Sequence, residues 1–110
     1  MEKILTTESE IQEFLANQKF AALYFSTDEC NVCKVLKPKL KDFLAENFSN
    51  ISFAYINVNN SKECASQRSI FTVPTILFIL EGKELIRKAR HINFTELYDE
   101  LSRIYRIIFD

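Results

Sequence analysis

The sequence predicts an α/β fold in which a mixed β-sheet is flanked by helices on both faces. In the first two thirds of the chain, apolar runs of strand length alternate with segments whose apolar residues recur at helical spacing. This alternation is typical of parallel strands joined by crossover helices. Nearer the C-terminus an apolar run ends at the pair Glu81-Gly82, and the chain returns over residues 83–89. Glu81-Gly82 is a turn signal that predicts an antiparallel hairpin added to the parallel strands.

The first helix and the first strand are predicted from a capping box and a continuous apolar run. Thr7 stands three residues before Glu10, so each side chain can bond to the backbone N–H of the other at the start of a helix. Apolar residues at helical spacing extend this helix over residues 7–17. Residues 20–26 read FAALYFS, and such a run is expected for a strand that is covered on both faces.

The middle of the chain predicts two more helices and one more strand. Residues 31–48 keep a helical period with Pro38 inside it. The proline should kink this helix, because its ring clashes with the preceding turn and removes a hydrogen bond. Residues 51–58 predict a second strand, and residues 61–69 predict a short polar helix.

The C-terminal third predicts a hairpin followed by a final helix. Residues 75–80 and 83–89 are its two strands. Asn93 precedes Glu96 by three residues, a pairing that is typical of a helix N-cap. The predicted helix then carries an apolar stripe, which consists of Phe94, Leu97, Tyr98, Leu101, Ile104, Tyr105 and Ile108.

Length and composition limit the classes of function. At 110 residues the chain should form one domain over residues 1–110. Its 47% hydrophobic residues, with ten Phe, suffice for a core without metal or disulfide support. The net charge of −1 favours neither nucleic acid nor an anionic membrane as a partner. No apolar run approaches the roughly 20 residues that cross a bilayer, and the acidic N-terminal region does not resemble a signal peptide. We therefore expect a cytoplasmic monomer.

Two of the three cysteines stand in the arrangement Cys-x-x-Cys at the start of a predicted helix. Cys30 follows directly on a buried strand, and Cys33 falls in the first helical turn. Unpaired amide N–H groups and the helix dipole stabilise an anion at this place, so a thiolate is favoured there. A thiolate with a second thiol three residues away is what disulfide exchange requires.

Two other interpretations of the cysteines stay open at the level of sequence. Cys64 and the single His, His91, would complete a Cys₃His zinc site with the pair, although the spacing is unlike that of zinc ribbons or fingers. The pair could also be packed thiols without function. Cys64 itself is expected to be buried as a small apolar residue, with a regulatory or dimer-forming thiol as the alternative.

Further residues stand at the spacing of a known family. Lys34 follows the second cysteine, Pro38 lies five residues after it, the Val73-Pro74-Thr75 segment precedes a buried strand, and Gly82 lies in the hairpin. With these residues and the cysteine pair, the sequence resembles the thioredoxin family over essentially the whole chain. The resemblance implies the thioredoxin fold.

The resemblance also implies roles for individual residues. Cys30 would be the exposed nucleophile and Cys33 the buried thiol that resolves the mixed disulfide. A cis peptide bond would precede Pro74, and the backbone there, including Val73, would pair with an extended substrate. The expected reaction is exchange with, and most simply reduction of, disulfides in proteins or small thiol compounds. A separate reductase would supply electrons, and no cofactor would be bound.

Other positions depart from the family pattern. Glu29 stands where the family has Trp, and Tyr24 and Tyr55 align with a buried Asp and its Lys partner. Because a Tyr hydroxyl has a pKa near 10, proton transfer would depend on water or Glu29, with Tyr24, Tyr55 and Lys34 tuning it. These departures favour the alternative of a thioredoxin-fold binding or redox-regulatory module with little turnover.

Charged residues surround the cysteines in place of the apolar surface that is usual in the family. Asp28 and Glu29 precede the pair, and Arg90 and His91 occupy a loop that usually carries Gly. The acids should weaken, without cancelling, the stabilisation of the Cys30 thiolate by the helix. We expect Glu29 and Arg90 to contact substrate and to restrict its choice, with a solvated charged rim as the alternative.

Overall fold

A computed structural model describes residues 3–109 as a five-stranded sheet with two helices on each face. The strands are β1 (Lys3–Leu5), β2 (Phe20–Ser26), β3 (Ser52–Asn57), β4 (Thr75–Leu80) and β5 (Lys83–Ala89). The helices are α1 (Glu8–Ala16), α2 (Asn31–Asn47), α3 (Lys62–Gln67) and α4 (Phe94–Phe109). The predicted elements agree with these bounds to within about two residues, which is the accuracy expected of a pattern.

The sheet is mixed, as the sequence predicts. Its strand order is β1-β3-β2-β4-β5. Strands β1 and β2 are parallel to β3, whereas β4 is antiparallel to β2 and β5 is antiparallel to β4. Every residue of the central strand β2 is buried, which accounts for its nearly continuous apolar sequence.

Side chains alternate between two hydrophobic layers, one on each face of the sheet. On the α2–α4 face, sheet residues such as Tyr24 and Phe78 pack against Leu40 and Leu101. On the other face, the α1–α3 face, Leu23 and its neighbours pack against Ile11, Phe14, Cys64 and Ala65. Each face of the sheet is therefore covered by two helices.

Strand β1 was not predicted, because the sequence analysis placed a helix first. It is an edge strand of three residues that pairs in parallel with β3. Only Leu5 is buried, and Ile4 is 65% exposed. Three residues are too few to show a period of two, so this strand depends on hydrogen bonds to β3 and leaves no pattern of its own.

The predicted helix starts and the predicted turn are present. The Thr7 hydroxyl accepts a bond of 3.1 Å from the Glu10 N–H, and the Glu10 carboxylate accepts one of 3.0 Å from the Thr7 N–H. The Asn93 side chain accepts from the Glu96 N–H at 3.0 Å at the start of α4. Between β4 and β5, both Glu81 and Gly82 have positive φ, as a two-residue hairpin turn requires.

Helix α2 continues from Asn31 to Asn47 with Pro38 inside it. The proline has no N–H to give to the carbonyl of Lys34, so one bond of the helix is missing at this turn. The kink expected at Pro38 stays a prediction.

Candidate active site

Cys30 and Cys33 form a disulfide at the N-terminus of α2, with their Cα atoms 5.2 Å apart. Cys30 is the N-cap residue, and its Sγ accepts a bond of 3.1 Å from the Cys33 N–H. Cys30 is partly exposed, whereas Cys33 is 2% exposed. A thiolate on Cys30 would therefore have both the positive end of the helix and a backbone donor to stabilise it.

Tyr24 lies directly beneath the cysteine pair. Its side chain is fully buried, and its hydroxyl donates a bond of 2.9 Å to the carbonyl of Cys33. Burial, with a smaller contribution from Tyr55, raises the pKa of Tyr24 to about 12. The hydroxyl is thus protonated at neutral pH, and it holds the first turn of α2 without serving as a proton acceptor.

Tyr55 and Lys37 extend this arrangement toward the surface. The rings of Tyr24 and Tyr55 are stacked with centroids 6.3 Å apart, and the Tyr55 hydroxyl accepts from the Ser26 hydroxyl at 2.9 Å. The Lys37 ammonium lies 3.9 Å from the centre of the Tyr55 ring, a cation–π contact. A positive charge therefore lies beside the two tyrosines, supplied by α2.

Lys37 was missed by the sequence analysis, which named Lys34. Lys34 is exposed, and its side chain forms no hydrogen bond or ion pair with the residues from 3 to 109. Lys37 follows Cys33 by four residues, so both point to the same side of α2. That spacing is the signal in the sequence that could have identified Lys37, whereas the family resemblance indicates only the residue after the second cysteine.

The loop before β4 has the cis bond that the resemblance implies. The Val73–Pro74 peptide bond is cis, Pro74 is buried, and Val73 packs on the same hydrophobic cluster as Cys33. The Thr75 hydroxyl donates to the Thr72 carbonyl at 2.7 Å and holds this loop. The carbonyl of Pro74 in turn accepts a bond of 2.8 Å from the Arg90 N–H. Arg90 is therefore fixed to the proline loop by its backbone.

Arg90 is the central residue of a tight turn. The His91 N–H donates to the Ala89 carbonyl at 2.7 Å, and Arg90 has a φ of 64°. This left-handed conformation favours glycine, which explains why the family usually has Gly in this loop. Here an arginine, which carries a Cβ atom, adopts this conformation.

Asp28 and Glu29 lie on the side of the cysteines away from Arg90, and two asparagines hold their side chains. The Asn57 amide donates to the Asp28 carboxylate at 2.8 Å, and the Asn59 amide donates to Glu29 at 2.8 Å. Strands β2 and β3 are parallel with Ser26 opposite Asn57, so the residues after each strand meet at the same edge. The sequence analysis did not identify the asparagines, although this shared edge could have indicated them.

Comparison with known proteins decides the family. The family model described as Thioredoxin matches residues 2–103. The chain belongs to the thioredoxin family. It is 37% identical over 97 residues to the thioredoxin-like protein YdfQ of Bacillus subtilis, covering 88% of this chain and 86% of that one. It is 30% identical over 87 residues to human thioredoxin, covering 77% and 82%.

Solved thioredoxin structures share the fold. The Fasciola hepatica thioredoxin superposes with a TM-score of 0.80 at 26% identity, over 92% of this chain and 97% of that one. A mutant thioredoxin from Halobacterium salinarum gives a TM-score of 0.84 at 20% identity, over 94% and 90%. The thioredoxin fold expected from the sequence is confirmed. Family and cysteine pair together make the chain a protein-disulfide oxidoreductase.

The third cysteine does not join the thioredoxin pair. Cys64 is 3% exposed on the α1–α3 face, and its thiol donates to the Thr6 carbonyl at 3.7 Å. Burial raises the pKa of this thiol. Cys30 and Cys33 belong to the opposite face, and within residues 3–109 no three His, Cys, Asp or Glu side chains are grouped to hold a metal. The structure therefore does not bring Cys64 to the cysteine pair, as the Cys₃His zinc alternative requires, and Cys64 is buried as expected.

None of the helices described between residues 3 and 109 combines the length and the apolar character needed to cross a bilayer.

Proposed function

We propose that this thioredoxin-family protein is a disulfide reductase that acts on proteins or small thiol compounds, with Cys30 as nucleophile and Cys33 as resolving thiol. One observation carries the proposal: Cys30 is partly exposed with a backbone N–H directed at its sulfur, while Cys33 is buried behind it. The first sulfur can meet a substrate disulfide as a thiolate, and the second is protected until a mixed disulfide forms.

The reaction consists of two exchanges. The Cys30 thiolate attacks one sulfur of the substrate disulfide, that S–S bond breaks, and the other substrate sulfur leaves as a thiolate that is protonated by water. The Cys33 thiol gives its proton to water and attacks Cys30, so the bond to the remaining substrate sulfur breaks. Two electrons have then passed to the substrate, and the protein holds the Cys30–Cys33 disulfide. A separate reductase would return the two electrons.

Water is the proposed proton acceptor because the neighbouring tyrosine is unsuited to the task. The pKa of Tyr24, about 12, keeps its hydroxyl protonated at neutral pH. The Glu29 carboxylate is exposed but is bonded to Asn59. We propose that Glu29, Val73, Pro74 and Arg90 contact the substrate around the cysteines. We further propose that the protein acts as a cytoplasmic monomer.

The test is reduction of insulin or an aromatic disulfide with dithiothreitol as electron donor. We expect catalysis by the wild type, none by Cys30→Ser, and accumulation of a mixed disulfide with Cys33→Ser. Cys64→Ser serves as the matched control and should keep the wild-type rate, because Cys64 lies on the other face of the sheet. A wild-type rate no faster than dithiothreitol alone would reject the reductase function.

That negative outcome would favour a second candidate, a redox-regulatory binding module with little turnover. The observation in its favour is the fully buried Tyr24, protonated at neutral pH where the family has a carboxylate. Such a module would still form and break the Cys30–Cys33 disulfide, so its partner affinity would differ between the oxidised and reduced protein while its rate of catalysis stayed at background.

A further inference from the structure

A groove of about 590 Å³ lies beside the cysteine pair, between the start of α2 and the start of α4. Its α2 wall carries Val32 and Val35, which are 58% and 60% exposed. The opposite wall carries Ile92, which precedes α4, and Phe94, the first residue of α4. The Phe94 ring packs with its centre 5.0 Å from that of the Phe43 ring. Apolar side chains exposed together in a groove are typical of a binding surface.

Two cationic side chains border this groove, Lys39 from α2 and Arg90 from the tight turn. Within residues 3–109 no carboxylate forms an ion pair with either of them. Both are exposed, so they present positive charge to whatever occupies the groove.

The acids of the site lie on the other flank of the cysteines. The sheet order places β3 on one side of β2 and the β4–β5 hairpin on the other. Asp28 and Glu29 are bonded to asparagines that follow β3, whereas Arg90 follows β5 and is bonded to Pro74. The two cations that line the groove and the two acids that precede the cysteines therefore lie on opposite sides of Cys30.

The backbone of Arg90 adds an independent reason to assign it a function. Its φ of 64° is a conformation that costs an arginine free energy and a glycine none. Residues held in such conformations concentrate at ligand sites. The bond from the Arg90 N–H to the Pro74 carbonyl keeps the side chain beside the loop that precedes β4.

We infer that this groove binds an acidic segment of a protein substrate, next to the disulfide that Cys30 attacks. Apolar residues of the segment would contact the two valines and Phe94, and its Asp or Glu side chains would pair with Lys39 and Arg90. The inference rests on the proposed reductase function and names the substrate class of the same site. Charge complementarity of this kind mainly speeds the encounter of protein and substrate and lowers KM, and added salt weakens the effect.

Three disulfide-bonded peptides with the same apolar residues and Glu, Gln or Lys flanks form the test. We expect the wild type to prefer the Glu peptide to the Lys peptide by about 3–10-fold in kcat/KM at low salt, since two exposed charge pairs contribute modestly each. The difference should lie in KM and should shrink at high salt. The double variant Lys39→Glu/Arg90→Glu should abolish or reverse the preference.

The matched control is Lys19→Glu/Lys83→Glu, which changes the net charge equally at the other ends of β2 and β5. It should keep the wild-type preference. If the Gln peptide is turned over but the Glu and Lys peptides react equally, the inference fails and the reductase function stands. If no peptide is reduced faster than by dithiothreitol alone, the reductase function itself fails. A concentration-dependent dimer that Val35→Glu abolishes would place a second copy in the groove and would also overturn the inference.

Discussion

At the scale of single residues, the buried tyrosine beneath the cysteines has a mechanical role. Tyr24→Phe removes the donor to the Cys33 carbonyl but keeps the ring packing, so we expect a loss of about 1 kcal/mol in the free energy of unfolding. The pH dependence of kcat/KM near neutrality should not change, because the hydroxyl titrates only near its pKa of about 12. Denaturant titration and a pH–rate profile measure the two quantities.

Tyr98→Phe is the control for this prediction, since Tyr98 is 45% exposed. It should change neither stability nor rate. A shift of the pH–rate midpoint in Tyr24→Phe would show instead that the hydroxyl takes part in proton transfer.

Lys37 gives a second prediction at this scale. Its ammonium lies against Tyr55, which stacks on the tyrosine bonded to Cys33. A nearby positive charge favours a thiolate, so Lys37→Met should raise the pH at which the reduced cysteines become alkylated. Lys34→Met removes an equal charge from an exposed position and should have the smaller effect. A larger shift for Lys34→Met would show that Lys34, the residue named from the family resemblance, has the stronger effect on the thiolate.

Arg90, which we infer contacts the substrate, also lowers the free energy of unfolding through its backbone conformation. Arg90→Gly should raise the free energy of unfolding by about 0.5–1 kcal/mol, because the left-handed cost disappears and the added freedom of the unfolded chain offsets only part of it. Arg90→Ala removes the same side chain but keeps a Cβ atom, so it should bring no such gain. Urea unfolding of the three proteins checks this, and equal stability of the Gly and Ala variants would contradict it.

At the scale of elements, Lys88 connects β5 to α4. Its ammonium lies 2.8 Å from the Glu100 carboxylate and 2.9 Å from that of Glu96. Hydrogen bonds to Glu100 and then to Glu96 raise the pKa of Lys88 above its ordinary value. The stabilisation is thus fully present below the unfolded pKa near 10.5 and is lost as the pH rises through the higher folded pKa.

The difference in unfolding free energy between wild type and Lys88→Met should therefore shrink from neutral to strongly alkaline pH. Lys83, on the same strand, forms no ion pair within residues 3–109. The stability difference between wild type and Lys83→Met should therefore not change with pH in this way. A wild-type advantage that grows with pH would contradict the assignment.

Elements with several buried residues or a clear start signal were predictable from the sequence, and the edge strand β1 was not. Seven consecutive buried residues specify β2, and the capping box specifies the start of α1. Strand β1 has one buried residue, so its three residues carry no period and take their structure from β3. A pattern along the chain reports burial of an element, and it cannot report a strand that exists mainly through pairing with its neighbour.

At the scale of the whole molecule, the site is assembled from loops that are distant in sequence. The cysteine pair and its chemistry were predictable because strand, turn and helix are contiguous. The contacts of Glu29 with Asn59 and of Arg90 with Pro74 join segments 30 and 16 residues apart. Only the order of strands in the sheet brings these segments together, and that order follows from the fold as a whole.

Cys64 offers a measure of the stability of the whole fold. In the oxidised protein it is the single free thiol among the three cysteines, and it is 3% exposed on the buried side of α3. Burial raises its pKa, so both access and ionisation disfavour reaction in the native state. We expect a thiol reagent to label Cys64 slowly in buffer, with a dependence on denaturant that follows the unfolding transition measured by circular dichroism. Cys64→Ala should show no labelling of the oxidised protein. Rapid labelling without denaturant would mean that α3 opens independently of the sheet.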